Sequence, residues 1–161
     1  MFGIKKIISG GQTGADLAGL DYALKNGISM GGWCTKGRLN EAGTIAKVYP
    51  LIESISKQYS VRTEKNVVGS DATLVFTGKE SMDKGTGLCI DLCRHHKKSY
   101  FVFDLFDVEQ GQVKSVRNWL KSGNYQTLNI AGNREGTFPG IYNKTLFALA
   151  KIFELENKLN E

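Results

Sequence analysis

Short apolar runs alternate along this chain with stretches in which apolar residues recur every three or four positions. The runs Lys5–Ser9, Ile28–Trp33, Ala72–Phe76, Ser99–Leu105 and Gln126–Ala131 read as strands. Ala15–Asn26, Gln58–Gly69, Gly85–Lys97, Val108–Ser122 and Ile141–Asn160 read as helices. The stripes are explicit in Leu17, Leu20 and Leu24, in Val113, Val116 and Leu120, and in Leu146, Leu149, Ala150 and Phe153. Gly27 stands where the first helix needs a C-terminal stop. Thr35–Ile55 shows neither rhythm and reads as a long irregular connection, of the kind that commonly serves function.

Strands alternating with helices predict βαβ units, and so a parallel sheet covered by helices on both faces. In a doubly wound α/β fold the ligand crevice lies beyond the carboxyl ends of the strands, where strand order reverses. The residues that follow the strands are therefore the ones to examine.

At 161 residues the chain is expected to form a single domain, residues 1–161. An apolar content of 41% against 23% charged residues suffices for a core and excludes a disordered chain. No run of about 18 apolar residues occurs, so no membrane span is expected. Lys5 and Lys6 sit inside a short strand pattern rather than before an apolar stretch, so no signal peptide is expected. Cys34, Cys89 and Cys93 form no disulfide framework, which points to a reducing, cytoplasmic setting. The net charge of +5 is spread along the chain. It is densest around Lys36, Arg38, Lys47, Lys57, Arg62 and Lys65, either a solvated surface or a basic wall beside an anion pocket. Nucleic-acid binding is not favoured, because no motif or aromatic–basic interleaving accompanies the charge.

Candidate chemistry centres on Gly10, Gly11, Gln12, Thr13 and Gly14, between the first strand and the first helix. The segment matches neither the dinucleotide fingerprint nor the phosphate-loop motif. A strand–glycine turn–helix junction nevertheless aims backbone N–H groups and a helix dipole at one point, which suits a phosphate. Thr13 and Asp16 also fit a capping box, which would bind nothing. A second such junction follows the third strand: Thr77 and Gly78, then Gly85 and Thr86 opening a helix. After the fifth strand, Arg134 offers a guanidinium to a phosphate or carboxylate, or pairs with Glu135 or a helix end. Trp33 either stacks on a planar ligand ring or packs its own loop.

Cys89, Cys93 and His96 share a helical face, but two thiols and one imidazole on one helix fall short of a closed zinc site, so no metal is expected. Cys34 is either a reactive thiol beside Lys36 and Arg38 or an inert loop cysteine. His95 and His96 both fall at one helix end, which disfavours a histidine-based triad.

The runs Gly10–Asp16, Gly31–Arg38 and Tyr49–Leu51 resemble the family named "putative molybdenum carrier". So do Arg62-Thr63, Asn66-Val67, Ser70–Thr73, Leu128–Gly132, Arg134-Glu135 and Pro139–Tyr142. The resemblance spans almost the whole chain and extends to the lysine-decarboxylase-like phosphoribohydrolases and the DprA-type DNA-processing proteins. It implies a three-layer α/β/α Rossmann-like fold with a mostly parallel sheet of five or more strands, a homo-oligomer, and an anionic ligand above the sheet. Two positions depart from relatives: Asn133 stands where proline is common, and Lys84-Gly85 where a glycine pair is common. Phosphoribohydrolases carry an acid three residues after the threonine of the second turn; here that position is Cys89, with Asp91 out of step.

The resulting expectation is a carrier of a phosphate-bearing pterin or nucleotide, with molybdenum cofactor the named candidate. Gly11 to Gly14, Gly85 and Thr86 would hold the phosphate. Lys36, Arg38, Arg62 and Arg134 would supply charge, and Asn66 would line the site. The rival expectation is a hydrolase of nucleotide derivatives, with Asp16, Glu64 or Glu135 as its carboxylate. A DNA-associated module is a third, resting on charge and kinship.

Overall fold

The computed structural model describes residues 2–78 and 80–154. In chain order the elements begin β1 (Lys6–Ile8), α1 (Ala15–Lys25), β2 (Ser29–Gly31), β3 (Trp33–Cys34), β4 (Leu39–Asn40), β5 (Gly43–Thr44) and β6 (Ile52–Glu53). They continue α2 (Tyr59–Val68), β7 (Ala72–Thr77), α3 (Lys84–His95), β8 (Ser99–Asp104), α4 (Gln110–Gly123), β9 (Thr127–Gly132) and α5 (Ile141–Glu154). Each predicted helix and strand is present within a few residues of its expected ends; residues 155–160 of the predicted last helix lie outside the described residues.

The main sheet has the order β2-β1-β9-β7-β8, and all its pairings are parallel. Side-chain alternation sorts its two faces. Ile7, Leu74, Phe76, Leu128 and Ile130 join one core with Ala15, Val116, Leu120, Leu149 and Ile152, from α1, α4 and α5. On the opposite face Ala131 meets Val67 of α2 and Cys89 and Cys93 of α3. Helices thus cover both faces of a three-layer α/β/α sandwich. Strand β9, last in sequence, lies between β1 and β7, so the carboxyl ends of three strands distant in sequence converge.

The segment predicted as irregular is more ordered than its sequence suggested. Strands β3 and β6 pair in parallel, and β4 and β5 form a small antiparallel ladder. Arg38 straps this region together: its guanidinium donates to the carbonyls of Leu51 (3.0 Å), Ala46 (2.9 Å) and Tyr49 (2.9 Å). Ile45 and Leu51 pack with Leu20 and Cys34 beneath it. Two-residue strands carry too little apolar periodicity to be read locally. Among the described residues no helix is long and apolar enough to cross a membrane.

Candidate functional site

A cavity of about 520 Å³ opens above the carboxyl ends of β1, β9 and β7, between α2 and α3. Gly10, Gln12 and Asp16 form one side and Arg62 and Asn66 of α2 another. Gly85 and Thr86 of α3 stand opposite, with Asn129, Gly132 and Arg134 from β9 and its loop. Two of the predicted glycine-rich turns therefore share one cavity, although the strands they follow are not neighbours: β9 lies between β1 and β7.

The turn after β1 is not arranged as the sequence suggested. The Gly11 amide donates to Ser9 Oγ (3.3 Å), the Gln12 amide to Asp16 Oδ2 (3.2 Å) and the Thr13 amide to Gln12 Oε1 (3.0 Å). These N–H groups are thus engaged inside the protein, and Asp16, the chain's own carboxylate, takes the place expected for a phosphate. The space beside Gly11 is taken by Leu51 and Ile45, which would stand 2.6 and 3.0 Å from an added Cβ. The capping box does not form either. Gly14, at φ 82°, is the N-cap of α1 without a side-chain cap bond, and the Thr13 hydroxyl donates to Glu41. Glycine suits that cap because a side chain would be strained there.

Asp16 is buried, and burial pushes its carboxyl up to about 6. Arg62 opposes that rise, its Nη1 lying 3.8 Å from Asp16 Oδ2, and the Gln12 and Gly10 amides oppose it further. Asp83 adds a smaller upward push. Arg62 is only 9% exposed, and it stacks over Tyr59 with 5.2 Å between guanidinium carbon and ring centroid. Holding a guanidinium in such a place is costly without partners, so an incoming anion has a ready counter-charge.

The second turn is built around Asp83. Its Oδ1 caps α3 by accepting the Thr86 amide (2.8 Å) and hydroxyl (2.7 Å). Its Oδ2 accepts the Arg134 amide (3.3 Å) and the Thr137 hydroxyl (2.8 Å). Burial raises the Asp83 pKa, but these four donors outweigh it and hold the carboxyl below its ordinary value. Behind Asp83, Asn133 accepts the Thr77 hydroxyl (2.7 Å) and donates to the Ser81 carbonyl. Asn133 therefore ties the β7 loop to the β9 loop.

Other predicted positions lie elsewhere. Thr13 and Gly14 border a second, open depression beside Glu41 and Glu135. Thr77 is buried under Asn133, and Phe106 and Phe138 fill the space beside Gly78. Lys36 is exposed, away from the cavity wall, and Arg38 serves its own loop. Trp33 packs under Lys65, whose Nζ is 4.3 Å from the ring centroid. Asn66 reaches the cavity wall, but its side-chain amide grips the Trp33 backbone at both ends (2.8 and 2.9 Å). Arg134 lines the cavity while its Nε pairs with Glu41 (3.3 Å).

Of the three candidate catalytic carboxylates, only Asp16 is on the cavity wall. Glu64 pairs with His96 at 2.8 Å on the outer surface. Glu135 accepts the amides of Gly140 (2.5 Å) and Tyr142 (3.1 Å), and so caps α5. Cys34 is fully buried, and burial pushes its thiol up, which marks it as the inert kind. Cys89 and Cys93 belong to the core under α3, while His96 turns toward Glu64.

Sequence reading left Tyr59 unmarked and met Asp83 and Asn129 only inside longer motifs, not as wall residues. Asn129 had a usable signal, a polar residue in the otherwise apolar run Leu128-Asn129-Ile130. A polar side chain inside a buried strand is more informative than the apolar ones around it.

The chain belongs to the circularly permutated YpsA SLOG family, which matches residues 7–153. Among solved structures it is similar to the "putative molybdenum carrier protein" of Syntrophus aciditrophicus SB, known from crystals at 1.45 Å resolution. The two are 42% identical and superpose with a TM-score of 0.89, over 94% of this chain and 96% of the other. No curated protein matches the chain.

Proposed function

We propose that this protein binds and carries an anionic, phosphate-bearing small molecule, with molybdenum cofactor or a related pterin or nucleotide as its cargo. The observation that carries this reading is the cavity at the strand ends, walled by Arg62, Lys84 and Arg134. Its 520 Å³ falls within the few-hundred to about 1,000 Å³ range of small-molecule sites. The Lys84 and Gly85 amides, in the open first turn of α3, supply donors at one end, beside the Asp83 carboxylate that caps the helix. The molybdenum carrier named among its structural neighbours supports the choice of cargo. A carrier needs no bond-making groups: it shelters a labile ligand by keeping water from most of its surface.

A second reading draws on Asp16. A buried carboxyl held near neutrality on a cavity wall suits a general acid or base in cleaving a nucleotide's N-glycosidic bond. One experiment separates the two. The protein is incubated with molybdenum cofactor and with a nucleotide panel, and melting temperature and product are followed together. Stabilisation without turnover supports the carrier. Turnover abolished by Asp16→Asn supports the hydrolase, and neither effect with any ligand rejects both.

A further inference from the structure

We propose that the inner end of the cavity recognises a 2-amino-4-oxopyrimidine edge, the one guanine and the pterins share, with Asp16 as the specificity-determining residue. This deepens the binding reading above and rests on it. The inner end offers no backbone anion site, because the amides of Gly11, Gln12 and Thr13 are engaged within the protein. What it offers instead is a set of buried side chains with hydrogen-bonding capacity left over.

Asp16 is 5% exposed, Asn129 2%, Gln12 6% and Arg62 9%, and all four line the cavity. A carboxylate has roughly four lone-pair positions, and at Asp16 the Gln12 and Gly10 amides approach it from the protein side. Asn129 Nδ2 donates to Thr73 Oγ1 (3.2 Å), which leaves its carbonyl oxygen for the cavity. Gln12 Oε1 accepts the Thr13 and Glu41 amides (both 3.0 Å), which leaves its NH2. Arg62 Nη1 bonds Thr63 Oγ1 (3.2 Å), and among the described residues its Nε and Nη2 have no acceptor. None of these atoms is among the described residues' buried side-chain atoms left without a partner, so their free positions are reached from the cavity, where a ligand can take them.

The pattern is two kinds of acceptor, Asp16 and Asn129, beside two kinds of donor, Gln12 and Arg62. A 2-amino-4-oxopyrimidine presents the complement in one plane: an NH2 and a ring N–H, which a carboxylate takes as a pair, then a carbonyl for the donors. Adenine puts a bare ring nitrogen where the ring N–H should stand, facing the carboxylate. Hypoxanthine keeps the ring N–H and carbonyl but loses the NH2. Tyr59, Met82 and Leu88 supply apolar wall for the ring faces, and the α3 end receives the phosphate.

The test measures binding of GMP, IMP, AMP and neopterin phosphate to the full chain by calorimetry. GMP and neopterin phosphate are expected to bind, with IMP and AMP weaker by about tenfold or more, as a site built around a substrate's NH rejects its absence. Asp16→Asn should bring GMP down to the level of IMP. IMP or AMP binding as well as GMP, or a gap that survives Asp16→Asn, overturns the edge assignment and leaves the anionic-ligand reading standing. Failure of all four probes overturns the assignment too, and if molybdenum cofactor also fails, the carrier reading falls with it. Should Asp16→Asn not fold, the comparison of GMP with IMP on the unaltered protein decides.

Discussion

Arg62 lies directly over Gly10: a Cβ added at Gly10 would stand 2.2 Å from Arg62 Nη1 and 2.6 Å from its Cζ. The missing side chain of one residue is the seat of the other's guanidinium, and that seat holds the charge beside Asp16. Gly10→Ala must therefore displace Arg62. The clash is with the far end of a flexible side chain beside the cavity, so Arg62 moves at little cost to the fold. The expected result is a nearly unchanged melting temperature together with at least a tenfold loss of affinity for a phosphate-bearing probe, about 1.4 kcal/mol. Calorimetry on the purified variant checks both, and unchanged affinity would show that Arg62 takes no part in binding.

Asp16 makes a pH prediction whose sign is fixed. Its carboxyl ionises at about 6 in the folded protein, against 3.8 without burial. Between those values the folded state holds the extra proton, so this group's contribution to stability falls as pH rises from about 4 to 6. Above that window its ionised form costs the fold about 3 kcal/mol. Asp16→Asn removes the ionisation, so the variant should match or exceed the parent in stability at pH 7.5. Urea melts from pH 4 to 8 should show the parent's decline flattened in the variant; parallel curves would rule out Asp16 as its source.

Asp83 predicts the opposite slope. Its four hydrogen bonds hold the carboxyl below 3.8, so they stabilise the fold above that value and are lost as pH falls through the lower, folded-state value. Asp83→Ala removes the cap of α3 and leaves the Thr86 and Arg134 amides without their acceptor. A loss of about 2 kcal/mol is expected at neutral pH. Denaturant titration measures it, and a cost below about 0.5 kcal/mol, the size of an ordinary surface change, would mean the turn does not depend on this residue.

Cys34 should be silent in the native state. Cys34, Cys89 and Cys93 are all buried, and burial raises the Cys34 thiol. Thiol reagents are expected to label all three in urea and, without denaturant, to leave Cys34 unmodified over the same interval. Rapid native labelling mapped to Cys34 by mass spectrometry would contradict the packing of the Arg38-strapped segment.

The sequence reading met the structure unevenly, for reasons visible at particular residues. Helices such as α4 were legible because Val113, Val116 and Leu120 repeat at the helical period, and β7 because Ala72–Thr77 is a continuous run wholly buried in the sheet. Strands β3 to β6 were not, since two residues cannot display a period and Arg38 holds them through carbonyls that any sequence possesses. At the site, Arg62, Gly85, Thr86 and Arg134 were picked out by type and motif. The internal use of the first turn's amides was hidden, because Asp16 as a cap, a ligand contact and an occupant of the turn are written with the same letters.

Local order, the alternation of strands and helices, and the presence of glycine-rich junctions after β1 and β7 follow from the sequence by itself, since they depend on neighbours along the chain. That β9 inserts between β1 and β7, bringing Asn129 and Arg134 to the cavity, was decided only by the tertiary structure. So was the matter of which polar groups are already satisfied. Hydrogen-bond partners such as Thr77 and Asn133 lie 56 residues apart, and nothing in either one's immediate surroundings announces the other.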